Sequence, residues 1–286
     1  MKSYRTTTAI VIAIFVTSLG FAQDQGGSNI QNLTPSKLIG KGQWDIKLFN
    51  NLYTQDDSTF ESDKGIRQNF FTSTLEFFTG VSDTRRVNVG IIAEYRANGR
   101  DFLQNDGSLE RRNTSGLTSI APSIKFVPFK NVGNFSILSS FSIPLISNEV
   151  DEQTGVFLDQ KGFTWQNRFF YDYTFPGNKW QLFTELNTEL NFGDKEESFA
   201  NNSLNLVPGV FLSYFPSSKF TVLALAQHNQ RLDLGNDFTQ NFTALGGGAK
   251  YQLTNELNLE VLYTNFVRGE NTGLGQTFNI GLRAVL

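Results

Sequence analysis

Charged residues of both signs recur at even spacings within stretches of alternating polar and apolar residues. Glu94 and Arg96 are two positions apart, and Arg168 and Asp172 are four apart. Even spacing in an extended strand puts side chains on one face of the sheet. Such a face can line a hydrated passage that selects ions, or it can close into ion pairs. We expect one polar face to hold Lys47, Arg86, Glu94, Arg96, Arg168, Asp172, Glu185, Glu189, Arg231 and Glu260.

His228 is the only histidine of the chain and the one residue that invites a catalytic interpretation. A histidine beside a serine on a strand could act as the base for a serine nucleophile in a lipid-modifying enzyme. Here the residue two positions on is Gln230, so that pattern lacks its nucleophile. We therefore expect His228 to be a polar wall residue near the rim of the sheet, and we assign no catalytic residue.

The sequence offers little other site chemistry. The chain has no cysteine, which excludes disulfides, thiol nucleophiles and thiolate metal sites. Three acidic clusters, at residues 56–63, 149–152 and 194–197, lack the spacing of a recognised metal-binding loop. We interpret them as solvated loop charge, with divalent cation binding as the alternative. The sequence predicts neither a metal site nor a cofactor.

Residues 163–192 show the alternation that organises the whole chain. They predict two strands joined by a tight turn, both longer than the five or six residues that are typical of a soluble strand. The turn puts Arg168 opposite Asn187, with Glu185 and Glu189 as diagonal neighbours on the same face. The same pattern predicts twelve strands in all, at residues 44–53, 68–79, 86–97, 117–126, 135–146, 163–175, 180–192, 204–215, 220–231, 241–251, 257–267 and 276–286.

The N-terminus indicates export. Lys2 and Arg5 precede a short apolar run, and the small residues Gly20 and Ala22 stand where a signal peptidase would cut. We predict a signal peptide at residues 1–22 and a flexible periplasmic lead-in at residues 23–42. Residues 43–286 then form a single domain.

Charge and hydropathy narrow the class of protein further. The net charge is −3 and no basic run is present, which argues against a nucleic-acid partner. Beyond the signal, no segment reaches the ~20 apolar residues that a membrane-spanning helix needs. A membrane protein with this sequence would have to span by strands that close on themselves.

Long and short connections alternate between the predicted strands. The long ones are expected at residues 54–67, 98–116, 147–162, 193–203, 232–240 and 268–275, as in the extracellular loops of outer-membrane barrels of Gram-negative bacteria. We therefore predict an all-β, antiparallel transmembrane β-barrel of about twelve strands in the cell outer membrane, with both termini in the periplasm. The polar face becomes its lumen.

Aromatic residues bracket the predicted short turns, where a membrane interface would lie. We expect them to form a girdle that contains Phe126, Phe129, Phe135, Tyr173, Phe175, Trp180, Tyr214, Phe215 and Phe220.

Three stretches resemble a known family of outer-membrane barrels. Residues 121–145 (APSIKFVPFKNVGNFSILSSFSIPL) and 206–231 (LVPGVFLSYFPSSKFTVLALAQHNQR) are similar to members labelled as transporters, or as putative proteins of the meta-pathway of phenol degradation. Residues 40–53 (GKGQWDIKLFNNLY) resemble the form found in Bacteroidota. The resemblance implies a barrel that passes small molecules, and it carries no catalytic residue. Leu286 departs from it, because an aromatic residue is commonest at the C-terminus of such barrels.

Three functional hypotheses fit these patterns. The first is a porin-like pore or transporter for small solutes, with small hydrophobic or aromatic compounds as one candidate class. The alternative is a closed structural or surface-binding barrel. The third, which depends on His228 alone, is an outer-membrane lipid-modifying enzyme. The expected partners are outer-membrane lipid and lipopolysaccharide, small solutes and the barrel-assembly machinery. We expect a protein that is not an enzyme.

Overall fold

The computed structural model describes residues 35–286. The predicted signal peptide and most of the predicted lead-in lie outside the described residues. Twelve strands and one 3-10 helix, Glu61–Asp63, make up the regular structure of these residues. The strands are β1 (Trp44–Gln55), β2 (Gln68–Gly80), β3 (Val87–Leu103), β4 (Leu109–Phe126), β5 (Phe135–Pro144), β6 (Thr164–Thr174), β7 (Trp180–Asn191), β8 (Ser203–Tyr214), β9 (Phe220–Asp233), β10 (Gln240–Gln252), β11 (Leu257–Glu270) and β12 (Gln276–Val285).

The strands form one closed antiparallel barrel in sequence order. Each strand pairs with its neighbours along the chain, and β1 pairs with β12 to close the wall. Closure leaves no free strand edge, so the backbone groups of the wall are satisfied without water. The predicted all-β barrel of twelve strands is confirmed.

The register of the β6–β7 hairpin is the one that its turn predicts. Arg168 lies opposite Asn187 in the ladder. The turn is short because Gly177 and Asn178 both adopt a left-handed conformation, with φ of 88° and 55°. Glycine and asparagine are the residues that tolerate this region best.

Three of the predicted long connections are clearly shorter in the structure. Residues 232–240 reduce to 234–239 and residues 268–275 to 271–275, because β9 and β11 continue further than predicted. Residues 98–116 were expected to form a long loop, but β3 continues to Leu103 and β4 begins at Leu109. The apolar alternation fades there while the backbone ladder continues, and Arg111 bonds Asp101 across the hairpin at 2.9 Å. A polar strand extension carries no period-two hydrophobic signal, so it reads as a loop in the sequence.

The barrel has two distinct ends. We call the end that holds the start of β1 and the end of β12 the turn end, and the opposite end the loop end. The connections at residues 81–86, 127–134, 175–179, 215–219 and 253–256 lie at the turn end. The connections at residues 56–67, 145–163 and 192–202 lie at the loop end.

The two faces of the wall have opposite character to those of a water-soluble barrel. The exposed side chains of the strands are mainly apolar, including Leu48, Ile91, Val222, Val261 and Ile280. Most of the buried side chains are polar, and they point inward. This inversion is the signature of a wall that faces lipid. No helix within residues 35–286 is long and apolar enough to cross a membrane.

Candidate functional site

Among residues 35–286, three cavities adjoin one another in the lumen. The turn-end cavity is small, at about 80 Å³. The central cavity is the largest, at about 560 Å³, and shares Lys47, Glu76 and Arg168 with the turn-end cavity. The loop-end cavity has about 330 Å³ and shares Glu94 and Gln166 with the central one. Together they follow the interior of the barrel from one end to the other.

Residues 35–40 lie inside the turn end of the barrel. Ser36 is fully buried, and its hydroxyl bonds the carboxylate of Asp172 on β6. Lys125 of β4 donates to the backbone oxygens of Pro35 and Lys37. These contacts anchor the end of the predicted lead-in to the inner wall, where Pro35 lines both the turn-end and the central cavity.

The strands β1, β2 and β6 give the central cavity a charged wall. We define this charged wall as Lys47, Glu76 and Arg168 together with Glu185, which extends it on β7. Arg168 Nε lies 2.7 Å from Glu185 Oε1, and Lys47 Nζ lies 3.9 Å from Glu76 Oε1. Each cation therefore has a carboxylate partner inside the lumen.

Two more ion pairs continue this arrangement toward the turn end. Lys250 lies 2.5 Å from Glu260 on the next strand. Arg283 of β12 reaches across the closing seam and binds both carboxylate oxygens of Asp45, with its Nε 2.8 Å from Oδ1. Bidentate arginine–carboxylate contacts are among the strongest ion pairs in proteins.

The strands β8 and β9 give the same cavity an apolar wall. We define it as Phe211, Leu223 and Leu225, with Leu262 of β11 and Phe183 of β7 beside them. Above it, an aromatic cluster joins three strands. The rings of Phe242 and Phe266 stack with centroids 4.1 Å apart, and Tyr53 stacks on Phe266 at 4.8 Å.

The sequence pattern did not predict that these apolar residues face the lumen. Both faces of β8 and β9 carry apolar residues, so alternation alone could not identify the inner face. The structure resolves this ambiguity. Leu223 and Leu225 are buried on the inner face of β9, whereas Val222, the residue before Leu223, is exposed on the outer face. The lumen is therefore amphipathic rather than uniformly polar.

A long connection folds back into the loop end. Within residues 145–163, the side chains of Val156 and Leu158 are buried. Asn98 of β3 donates to the backbone oxygens of Phe157 and Leu158 at 2.9 and 2.8 Å. We call residues 145–163 the inward loop, because they narrow the opening of the barrel.

Asp159 connects the inward loop to β3. Its Oδ1 lies 2.9 Å from a terminal nitrogen of Arg96, which also binds Glu94 at 2.8 Å. Burial raises the pKa of the Asp159 carboxyl above its ordinary value, while Arg96 opposes that rise. The docked loop therefore holds a proton on Asp159 more tightly than a solvated loop would.

Most residues of the predicted polar face lie on the inner surface of the barrel. Nine of its members point into the lumen. Lys47, Arg168 and Glu260 line the turn-end and central cavities, and Glu94 and Glu185 line the central one. Arg96, Glu189 and Arg231 line the loop-end cavity, and Asp172 binds the segment at residues 35–40.

Arg86 is the exception within that set. It lies in the turn before β3, and its guanidinium donates to the backbone oxygen of Val127 at 2.9 Å. It does not line any of the three cavities described above. The sequence extended β3 by one residue into the turn, which made Arg86 look like a wall residue.

The predicted aromatic girdle is largely on the outer surface of the turn end. Phe129, Tyr173, Phe175, Trp180 and Phe220 are exposed. Phe126, Phe135 and Tyr214 are half-buried on the same surface, where Trp180 packs on Tyr214 at 4.7 Å.

Phe215 was predicted to belong to the girdle, but it faces the interior of the barrel. It is only 6% exposed and follows the inward-facing Ser213 at a spacing of two. Two aromatic residues in succession, Tyr214 and Phe215, cannot both face lipid in an extended strand.

His228 lies on the outer face of β9, away from the cavities. Its Nδ1 is 3.0 Å from the hydroxyl oxygen of Thr243 on β10, and the preceding Gln227 faces the central cavity. Of the acidic clusters, Asp56 pairs with Arg67 and Asp63 with Arg100, each at 2.9 Å.

Comparison with known proteins identifies the fold. No protein-family model matches this chain, and no curated protein matches it either. Among solved structures, an outer membrane channel from Pseudomonas putida F1 superposes with a TM-score of 0.65 at 11% identity, over 93% of this chain and 100% of that one. The beta domain of the Bordetella autotransporter BrkA gives 0.60 at 12% identity, over 85% of this chain and 99% of that one.

A third structure has the same kind of wall. The transport unit of the autotransporter AIDA-I from Escherichia coli gives a TM-score of 0.51 at 10% identity, over 91% of this chain and 99% of that one. At such identities the likeness concerns the fold alone. The closed wall, its apolar outer surface and these neighbours define an outer-membrane β-barrel located in the cell outer membrane.

Proposed function

We propose that this barrel is a channel that passes small solutes across the outer membrane, and that amphipathic or aromatic compounds are its preferred class. The observation that carries the proposal is the central cavity of about 560 Å³, which has a charged wall and an apolar wall. Its volume is in the range of small-molecule sites. A solute with one apolar and one polar side would satisfy both walls at once.

The orientation that fits this proposal puts the turn end in the periplasm. Short connections face the periplasm in outer-membrane barrels, and longer loops face outward. The solute would then meet the inward loop first and residues 35–40 last. Because residues 35–40 lie in the lumen, passage requires their displacement or leaves a narrow route beside them.

The proposal assigns no catalysis to the barrel. His228 has one hydroxyl neighbour, Thr243, on the lipid-facing side of the wall. A serine-type triad needs a nucleophile, a base and a group that orients the base. A His228→Ala protein should leave the lipid composition of the membrane unaltered.

A closed structural barrel is the competing function, and it is favoured by the ion pairs and by the segment at residues 35–40. Single-channel conductance in planar bilayers separates the two. The mature chain is compared with a variant that lacks residues 23–40, and heat-modifiable gel migration verifies that both barrels have formed. We expect small discrete steps from the mature chain and larger ones from the variant. Two folded barrels that give no steps would reject the channel.

A further inference from the structure

Arg231 differs from the other cations of the inner wall. Lys47, Arg168, Lys250 and Arg283 each lie within 4.0 Å of a carboxylate, and Arg96 lies close to two. Lys125 has no carboxylate partner in the described part of the chain, but it donates to two backbone oxygens. Arg231 is 8% exposed, yet within residues 35–286 its Nε and one terminal nitrogen have no hydrogen-bond partner. A buried guanidinium without an acceptor lowers the stability of the barrel, and a bound anion would remove that cost.

The carboxylates around Arg231 are already occupied. Glu189 accepts amide hydrogen bonds from Gln166, Asn187 and Asn205, at 3.0, 2.7 and 3.0 Å. Asn205 lies between Glu189 and Arg231 in the sheet, since it pairs with both of them. Glu189 therefore attracts Arg231 through space without binding it.

The two remaining acids of this region have a different cation. Glu94 and Asp159 both bind Arg96, at 2.8 and 2.9 Å. Arg96 compensates them locally, so within residues 35–286 Arg231 is left without a carboxylate contact. The part of Arg231 that lines the loop-end cavity can meet an anion without displacing an existing ion pair.

The surroundings of Arg231 fit a ligand with an apolar body. The loop-end cavity of about 330 Å³ is lined by Arg231 together with Phe157 and Phe199. These two rings meet edge to face, 5.8 Å apart, and the Arg231 guanidinium lies 5.3 Å from the Phe199 ring. Thr118 and Gln160 add polar groups to the same lining.

We propose that the loop-end cavity binds small carboxylates with an aromatic or aliphatic body, and that Arg231 receives their carboxylate group. A planar carboxylate matches the fork of guanidinium donors in a bidentate contact. The apolar body would then lie against Phe157 and Phe199. This inference rests on the proposed function, because it names the solute class that the channel would receive at its loop end.

The shape of β9 connects this site to the central cavity. Its inner face carries Arg231 at the loop end, then Gln227, then Leu225 and Leu223 toward the turn end. A carboxylate released from Arg231 would thus meet the apolar wall next. A carboxylate solute that moves along β9 would therefore meet a positive charge first and an apolar surface afterwards.

Benzoate is a suitable probe, and benzyl alcohol is its neutral counterpart. Calorimetric titration of the refolded mature chain in detergent should show saturable benzoate binding and at least about tenfold weaker binding of benzyl alcohol, since a charge-assisted contact is lost. Arg231→Gln should weaken benzoate by at least about tenfold. Arg231→Lys, which keeps the charge but not the fork, should fall between these values.

Two control variants sharpen the test. Arg112→Gln removes the same charge from the exposed β3–β4 hairpin, where Arg112 pairs with Glu110, and should leave benzoate binding unchanged. Asn205→Leu tests the competing explanation, in which Arg231 only stabilises Asn205, whose side-chain oxygen has no donor among residues 35–286. That explanation predicts the same loss of stability in Asn205→Leu and Arg231→Gln, and no benzoate binding by the unaltered chain.

The outcomes separate the two proposals. No saturable benzoate binding, equal affinities for benzoate and benzyl alcohol, or an equal loss in Arg231→Gln and Arg112→Gln would each overturn the Arg231 site. If Arg231→Gln does not yield a heat-modifiable barrel, the Arg231→Lys comparison decides. Benzoate binding by a barrel without conductance would support the site and reject the channel.

Discussion

The charged wall and the apolar wall of the central cavity differ in whether their side chains need specific partners. On β1, β2, β6 and β7 the charged inner side chains form ion pairs with one another, as Arg168 and Glu185 do at 2.7 Å. On β8 and β9 the inner side chains Phe211, Leu223 and Leu225 need no specific partner. The charged wall is thus internally complete, whereas the apolar wall gains free energy from any apolar group that covers it. We infer that the first maintains the barrel and that the second is available to a solute.

The largest effect is expected from breaking an ion pair of the charged wall. Arg168→Met leaves Glu185 without its cation in the lumen. The free energy of unfolding should fall by about 3 kcal/mol, the lower end of the range for buried pairs, because Arg168 remains 26% exposed to the cavity. Urea unfolding in lipid vesicles measures this loss.

The double variant Arg168→Met/Glu185→Leu is the matched control. It removes both charges and should recover most of the lost stability. If the double variant is as unstable as the single one, Arg168 stabilises the barrel by packing on Phe170, 5.1 Å away, rather than by its charge.

The next effect concerns the space that the apolar wall requires. Gly246 and Gly248 of β10 lie opposite Leu225 and Leu223 in the ladder. A Cβ atom on Gly246 would lie 2.0 Å from the backbone oxygen of Tyr263. Gly246→Val should therefore shift the strand and lower the free energy of unfolding by about 2 kcal/mol, as overpacked interiors do.

Gly133→Ala provides the comparison for that substitution. Gly133 lies in the connection between β4 and β5, and a Cβ atom there meets nothing within 4 Å. Its midpoint of urea unfolding should not change. Equal midpoints for both variants would show that the wall at β10 adjusts without cost.

A smaller loss of stability is expected when a side chain of the apolar wall is truncated. Leu225→Ala should cost about 2 kcal/mol or less, because the lost contacts border an existing cavity that water can fill. It should also weaken uptake of an aromatic solute into proteoliposomes. Leu212→Ala, on the lipid-facing side of β8, is the control and should leave uptake unaltered. Unchanged uptake in Leu225→Ala would contradict the role of the apolar wall.

The smallest effect is the pH dependence of the inward loop. The pKa of Asp159 is raised in the docked loop, so docking is favoured by protonation. This contribution is fully present below the ordinary pKa of 3.8 and is lost as the pH rises through the raised value. Single-channel conductance should therefore decrease as the pH is lowered from neutral into that window.

Asp159→Asn tests this assignment because it cannot titrate. Its conductance should vary less with pH than that of the unaltered chain. Asp106→Asn, at the exposed tip of the β3–β4 hairpin, should retain the full dependence. A pH profile that is identical in all three proteins would assign the titration to other acids.

Much of the fold could be predicted because its signals are local. Alternation within residues 163–192 predicted two strands and their register, and the ladder has Arg168 opposite Asn187. The failures have equally local causes. The polar extensions of β3 and β4 lack alternation, and Phe215 follows another aromatic residue so closely that only one of the two can face lipid.

The site could be predicted only in part. Period-two spacing placed Arg96, Glu189 and Arg231 on the inner face, but it could not show which cations have partners. Among residues 35–286, Arg231 lacks a carboxylate partner, and Asn205 of the neighbouring strand lies between it and Glu189. The packing of residues 35–40 against Asp172 likewise depends on a contact across 136 positions of sequence.

The sequence by itself determined the number of strands, their antiparallel order and the alternation of their faces, because each of these depends on residues close together in the chain. The tertiary structure decided the rest. Closure brings Arg283 to Asp45 across 238 positions, and it turns the ambiguous faces of β8 and β9 into an apolar wall. Contacts of that kind arise from the curvature and stagger of a closed sheet, which no local pattern of residues encodes.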